Sequence, residues 1–151
     1  MMNIVLVAPE IPQNTGNIVR TCAVTGANLY LVKPLGFSIS DRWLKRAGLD
    51  YWDQVKIKVV DDFTEITQNS GCRLFFYSSK ATKIYSDAEY TPGDFLVFGS
   101  ETKGLPEEFW DRWPENFYTI PKRKNTRCLN LANAVSIVLY EAWRQQSFAV
   151  T

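Results

Sequence analysis

NIVLVAPEIPQNTGNIVRTCAVTGANLYLV, residues 3–32, reads as a strand, a helix and a second strand. Residues 4–7 are a short apolar run stopped by Pro9, the pattern of a buried strand. Asn14-Thr15-Gly16 offers helix-capping groups. Residues 17–25 then carry Ile18, Cys22 and Thr25 at helical spacing, and Gly26 is placed to end the helix in the left-handed region. Residues 29–32 are apolar again, and Pro34 stops them. A strand, a helix and a strand in succession are the unit of a parallel sheet.

The same alternation continues downstream. Ser40-Asp41 caps a short helix through about Ala47, and residues 55–60 alternate with Lys56 and Lys58 as a strand exposed on one face. Asp61-Asp62 opens a weak helix to Gln68. Residues 74–77 and 95–98 are aromatic-rich runs of the kind buried on both faces of a sheet. Pro106, followed by Glu107 and Glu108, marks a helix start with proline at the first helical position and acids at the positive dipole end. Residues 117–120 make a last strand, stopped by Pro121. Residues 130–146 carry Leu131, Val135, Val138 and Ala142 in one apolar stripe, widened by Ala134 and Leu139. The expected fold class is therefore α/β, a mainly parallel sheet flanked by helices. With no linker and no repeat, residues 1–151 are expected to form one domain.

Composition narrows the chemistry. With 46% hydrophobic and 22% charged residues, the chain has enough apolar material for a packed core. The formal net charge is +1, so no global field draws nucleic acid, and any such site must come from local clustering of basic residues. Histidine is absent, which removes the commonest general base and metal ligand and every Ser-His or Cys-His dyad. The three cysteines, Cys22, Cys72 and Cys128, are odd in number and widely spaced, so neither a disulfide framework nor a metal site is expected. Reduced thiols fit a cytoplasmic protein. The first residues lack a basic segment and a long apolar run, so neither a signal peptide nor a membrane span is expected.

Ligands of open parallel sheets bind outside the carboxyl ends of the strands. Three loops fall there. Residues 9–17, PEIPQNTGN, are stiff and rich in amides, with Arg20 one turn further on. As a site, the loop would aim Asn14 and Arg20 at one ligand; otherwise it is a capped turn with a surface arginine. Residues 98–106, FGSETKGLP, place Gly99 directly after a buried strand, where backbone can approach a ligand closely. No GxGxxG and no GxxxxGK[ST] motif is present. Residues 121–130, PKRKNTRCLN, hold Lys122, Arg123, Lys124 and Arg127 with no acid, ahead of a helix N-terminus that favours anions. Arg42, Lys45 and Arg46 share a second basic helical face. Two such patches on a nearly neutral chain suggest a local phosphate-backbone footprint.

Taken together, PEIPQNTGNIVRTCAVTG, LVFGSETKGLP and IPKRKNTRCLNLANAVSIVLYEAWRQ resemble the three motifs of the SPOUT superfamily of RNA methyltransferases. The likeness is strongest to the small single-domain tRNA 2′-O-methyltransferases that modify the wobble cytidine or uridine. RAGLDYWD at residues 46–53 and YEAWRQ at residues 140–145 extend it, so that it spans residues 2–146 in motif order.

The resemblance implies a deep trefoil knot in the C-terminal part, S-adenosyl-L-methionine as cofactor with S-adenosyl-L-homocysteine as product, and a homodimer through the final helix. By position it implies cofactor contacts at Tyr77, Gly99, Ile120 and Cys128, several through backbone. It implies RNA-side catalytic roles for Asn14, Arg20, Glu101 and Asn130, with the anticodon loop of tRNA as partner. Relatives usually carry serine where this chain has Cys128. Methyl transfer from a sulfonium needs no histidine, because the cofactor brings the leaving group and the protein brings orientation. Arginine keeps its proton, so Arg20 is expected to fix the phosphate and the 2′-oxygen, while Glu101 either accepts the proton or pins Arg20. Two alternatives stay open at this point: a relative acting on another RNA such as rRNA, and an α/β protein that binds RNA without chemistry.

Overall fold

The computed structural model describes residues 1–42, 44, 46, 51–68 and 71–150. Seven strands form one sheet: β1 (Asn3–Val7), β2 (Asn28–Val32), β3 (Ile57–Val60), β4 (Leu74–Tyr77), β5 (Lys83–Ile84), β6 (Phe95–Phe98) and β7 (Phe117–Thr119). Their order is β3-β2-β1-β6-β4-β7-β5, and every pairing between them is parallel. The α-helices whose bounds lie wholly within the described residues are α1 (Pro12–Thr25), α2 (Thr64–Thr67), α3 (Glu107–Arg112) and α4 (Leu131–Gln145). The expected α/β class with a mainly parallel sheet is what the chain forms.

Each central strand is buried on both faces, which is why β1, β4 and β6 read as unbroken apolar runs. Alternate residues face opposite ways. Ile4, Leu6, Phe75, Tyr77, Leu96 and Phe98 join α1 and α4 in one core. Val5, Val7, Phe76, Phe95 and Val97 join Phe63, Ile66, Phe109 and Phe117 in the other. The second core is largely aromatic: Phe76 stacks on Phe117 at 5.0 Å and on Trp113 at 5.2 Å. The apolar stripe of α4 falls where its spacing placed it, with Val135, Val138, Leu139 and Ala142 all buried. Ala132 is buried as well, whereas Leu131, Ala134, Ile137 and Trp143 are only half-buried and Tyr140 is 40% exposed.

Element starts differ from expectation where a remote residue intervenes. Asn14-Thr15-Gly16 is not a cap: the helix begins at Pro12, and Asn14 lies buried within its first turn. Proline at the first helical position is pre-shaped for this start, and the two N–H groups just ahead of it are taken by Glu101, described below. Pro106 is the residue before α3 rather than its first, a shift of one. The edge strand β5, two residues long, carries no sequence signal of its own. Gly26 does end α1 with φ +80°, and its N–H donates to the Cys22 carbonyl at 2.8 Å. The helix expected from Ser40-Asp41 through Ala47 lies partly outside the described residues, as do Lys45 and residues 47–50 of the RAGLDYWD stretch. Asp41 Oδ1 accepts from the Leu44 N–H at 3.4 Å.

Candidate active site

A cleft of about 830 Å³ opens beyond the carboxyl ends of β1, β4, β6 and β7. That volume is typical of small-molecule sites. All four positions expected to touch a cofactor line it: Tyr77, Gly99, Ile120 and Cys128. The Tyr77 side chain belongs to the core. Its ring stacks on Phe98 at 4.8 Å, and its hydroxyl donates to Tyr90 Oη at 2.8 Å. Tyr90 in turn donates to the Tyr85 carbonyl at 2.7 Å. Burial pushes the Tyr77 phenol well above its ordinary range, so it stays protonated as a fixed donor. What Tyr77 offers a ligand is therefore its main chain. Gln145 braces the same wall from α4, with Oε1 accepting from Tyr90 N–H at 2.8 Å and Nε2 donating to the Ala88 carbonyl at 2.9 Å.

Gly99 has a more local reason than ligand approach. A Cβ there would overlap the Gly104 carbonyl carbon and the Leu105 nitrogen. The loop folds back on itself: Ser100 and Gly104 exchange backbone hydrogen bonds at 3.0 and 3.3 Å, and Ser100 Oγ accepts from Lys103 N–H at 3.1 Å. Gly104 reaches this closure with φ +69°, a conformation that favours glycine. The result is a short, self-closed turn with Glu101 and Thr102 at its tip.

Three of the four expected catalytic side chains meet at one end of the cleft. Asn14 Nδ2 donates to Glu101 Oε2 at 3.2 Å, and Asn130 Nδ2 donates to Asn14 Oδ1 at 2.9 Å. The first turn of α1 has no cap of its own. Glu101 instead fixes the chain just ahead of it, accepting from the Glu10 N–H at 2.8 Å and the Ile11 N–H at 2.9 Å. Asn130 caps α4 as its sequence position suggests, with Oδ1 accepting from Ala132 N–H at 2.9 Å and Asn133 N–H at 3.4 Å. Both amide orientations follow from their partners, and each amide nitrogen keeps a second hydrogen for a ligand. Arg20 is apart. It is exposed on α1, outside the cleft lining, with its guanidinium 5.3 Å from the Tyr51 ring centre.

The basic loop, residues 121–130, is exposed throughout. It forms a compact turn in which Lys122 Nζ donates to the Thr126 carbonyl at 2.6 Å and Thr126 Oγ1 donates to the Arg123 carbonyl at 2.7 Å. Lys80, Lys103 and Lys122 stand on the cleft wall together with Glu101 and Glu107, and Lys80 lies 3.8 Å from the Glu107 carboxylate. Sequence reasoning missed Glu10 and Thr102. Glu10 Oε1 accepts from Thr102 N–H at 3.0 Å and Thr102 Oγ1 at 2.7 Å. Their only sequence signal is membership of the two conspicuous loops.

Residues 1–140 match the SpoU rRNA Methylase family. The chain belongs to that family. This SpoU-family chain is 48% identical over 151 residues to the tRNA (cytidine(34)-2′-O)-methyltransferase of Methylovorus glucosotrophus, covering 99% of this chain and 98% of that one. It is 49% identical to the enzyme of the same name from Saccharophagus degradans, at 99% and 98% coverage. Among solved structures, one from work on the 2-OH methylation of C/U34 on tRNA superposes with a TM-score of 0.93, at 43% identity and 99% and 98% coverage. An AdoMet-bound rRNA methyltransferase from Sinorhizobium meliloti superposes with a TM-score of 0.84 at 26% identity, over 95% of this chain and 56% of that one. The SpoU fold and the three motifs thus coincide. Among the described residues, no helix is long and apolar enough to cross a membrane.

Proposed function

We propose that this protein transfers a methyl group from S-adenosylmethionine to the ribose 2′-hydroxyl of the wobble nucleotide, cytidine or uridine 34, of tRNA. The observation that carries the proposal is the meeting of Asn14, Glu101 and Asn130 at one end of a cleft at the carboxyl ends of parallel strands. The near full-length likeness to enzymes of that name supports the choice of substrate.

The cleft fits the cofactor in size and character: it is large enough, it has apolar walls at Val7, Ile120 and Leu131, and backbone faces it at Tyr77 and Gly99. When bound there, the cofactor supplies an activated methyl group on a charged sulfonium. The protein's own task is orientation. The free hydrogens of the Asn14 and Asn130 amides are donors for the sugar oxygens of the target. Glu101 already accepts three N–H groups, so its main work is to hold the chain leading into α1 and the Asn14 amide in place. Arg20 binds the adjacent phosphate and stabilises charge developing on the 2′-oxygen. The exposed Lys122, Arg123, Lys124 and Arg127 hold the anticodon-loop backbone, and a splayed loop nucleotide is the usual target of RNA-specific recognition.

The proposal extends to the assembly. The whole chain, residues 1–151, works as one domain with a C-terminal knot, in the cytoplasm, as a homodimer through α4. The dimer is supported by the outward faces of α1 and α4, which adjoin through Thr21 and Ser136 and expose Val24 at 56% and Tyr140 at 40%. Arg20 lies on that outward face of α1, away from its own cleft, which suits service to a second copy.

The test is transfer of labelled methyl to purified tRNA with nucleoside mapping. Label at the 2′-oxygen of nucleotide 34 is the expected result; label confined to rRNA, or none, would overturn the reading. Arg20→Ala is expected to abolish transfer with fold and cofactor binding retained. A sedimentation mass of one chain at micromolar concentration would exclude the dimer.

A further inference from the structure

We infer that Glu10 and Thr102 are positioning residues for methyl transfer: with Glu101 they form a reciprocal carboxylate latch that joins the two cleft loops and sets the Asn14 amide. The inference rests on the functional reading above but names residues and a device that reading does not use.

The latch has two halves that run in opposite directions. Glu101, from the loop after β6, accepts the N–H groups of Glu10 and Ile11. Glu10, from the loop after β1, accepts the N–H and hydroxyl of Thr102. Each loop thus gives a carboxylate to the other's donors. Four hydrogen bonds cross between segments about 90 residues apart, and the Asn14 amide adds a fifth.

The backbones on both sides are already constrained. Loop 99–104 is closed by its own bonds. On the other side, Ala8 takes φ +53° as the chain leaves β1, a conformation uncommon for a residue with a Cβ. Beyond it, Gly36 lies so close that an added Cβ would come within 2.8 Å of Glu10 Cα, and Gly36 N–H donates to the Pro9 carbonyl at 2.9 Å. The two stiff loops are tied by the side chains of Glu10, Glu101 and Thr102, with the Asn14 amide beside them. Their bonds are at the surface, where a hydrogen bond adds little to stability. Their effect falls instead on alignment, because a displacement of about 1 Å in a reacting geometry can cost on the order of a hundredfold in rate.

The pattern also explains the residue types. A carboxylate on Glu10 can take both Thr102 donors on one oxygen, and threonine offers a hydroxyl beside its own N–H. Serine would preserve both donors; valine would keep the shape and remove one.

The experiment compares Glu10→Ala, Thr102→Val and Thr102→Ser with wild type. It measures kcat on tRNA, cofactor affinity by calorimetry, the melting temperature, and amide exchange at Glu10 and Ile11. The expected result is a kcat about ten- to a hundredfold lower in Glu10→Ala and Thr102→Val. Cofactor affinity should stay within about twofold and the melting temperature within a few degrees, with faster exchange at the two amides and near-complete recovery in Thr102→Ser. Unchanged kcat and exchange in both disrupted variants would overturn the inference while leaving the functional reading intact. Parallel losses of kcat, cofactor affinity and melting temperature would overturn it too, as the signature of a merely structural contact. If wild type leaves nucleotide 34 unmethylated, the functional reading falls. The exchange data then judge the latch alone: faster exchange in the disrupted variants upholds it, and unchanged exchange overturns it.

Discussion

Asn130 Nδ2 donates to Asn14 Oδ1 at 2.9 Å, and this single bond joins the first turn of α1 to the N-cap of α4. One asparagine side chain therefore performs two separable jobs. Its oxygen caps α4, and its nitrogen holds the Asn14 amide in the orientation that reaches Glu101.

The two jobs can be pulled apart by substitution. Asn130→Asp keeps the capping oxygen and replaces the donor facing Asn14 with an acceptor. Flipping the Asn14 amide would restore that contact only by turning its oxygen toward the Glu101 carboxylate. We expect stability within about 0.5 kcal/mol of wild type and methylation down by a hundredfold or more, on the order of 2.7 kcal/mol of barrier. Asn130→Ala should lose the cap as well, about 1 kcal/mol in urea unfolding. Full turnover in Asn130→Asp would show that the amide bond has no part in the reaction.

Gly99→Ala tests the self-closed turn. Because the new methyl overlaps backbone rather than a mobile side chain, the loop must open. Loss of cofactor affinity is expected together with loss of kcat, in contrast to the latch variants. Calorimetry showing wild-type cofactor affinity would mean that the turn relaxes without disturbing the cleft.

The three thiols should react in a fixed order. Cys128 is exposed on the cleft wall, Cys72 is half-buried, and Cys22 is buried. Burial pushes the Cys22 thiol up to about 12, and burial also raises Cys72. At pH 8 an alkylating agent should take Cys128 first and spare Cys22 in the folded protein. S-adenosylmethionine should protect Cys128, and Cys128→Ser should keep most activity, since the oxygen acceptor needs no thiol nucleophile. Mass mapping that finds Cys128 equally reactive with and without cofactor would remove it from the site.

A titration reports on Glu10 in solution. The Thr102 hydroxyl, then the Thr102 N–H, holds the Glu10 carboxyl below its ordinary 4.5. A lowered carboxylate value means that its contribution is present above pH 4.5 and is lost as pH falls through the lower folded value. Thr102→Val should move the Glu10 carboxyl resonance back up toward 4.5. An unmoved titration in that variant would show that the hydroxyl bond does not form in solution.

Legibility of the sequence followed the range of the interactions that decide each feature. β1, β4, β6 and α4 were readable because burial on both faces, or one apolar stripe, writes itself into adjacent residues. The start of α1 lies earlier than its capping residues suggest, because the chain leading into Pro12 is held by Glu101, some 90 residues away. β5 was invisible because two residues at a sheet edge have no pattern to show. At the site, the family resemblance implied Asn14, Arg20, Glu101 and Asn130, of which Asn14, Glu101 and Asn130 converge. Nothing local distinguished Glu10 and Thr102 from ordinary loop polarity, since each acquires its partner only when β1 and β6 pair. Arg20 stood beside Asn14 in sequence, but helical rotation carries it to another face.

The place of β1 between β2 and β6 bears on how the chain is made. Domains begin to organise as they leave the ribosome, at about 5–20 residues per second. When residues 1–60 have emerged, β1, β2 and β3 can already pair, but β1 presents a bare, wholly apolar edge until residues 95–98 arrive to cover it. The Glu10 and Ile11 N–H groups ahead of α1 lack their acceptor for the same interval, because position 101 is still unmade. For several seconds of synthesis the nascent chain therefore holds an open template for stray strand pairing, and the arrival of one short segment, β6 with the turn behind it, both seals that edge and brings Glu101 to the loop after β1.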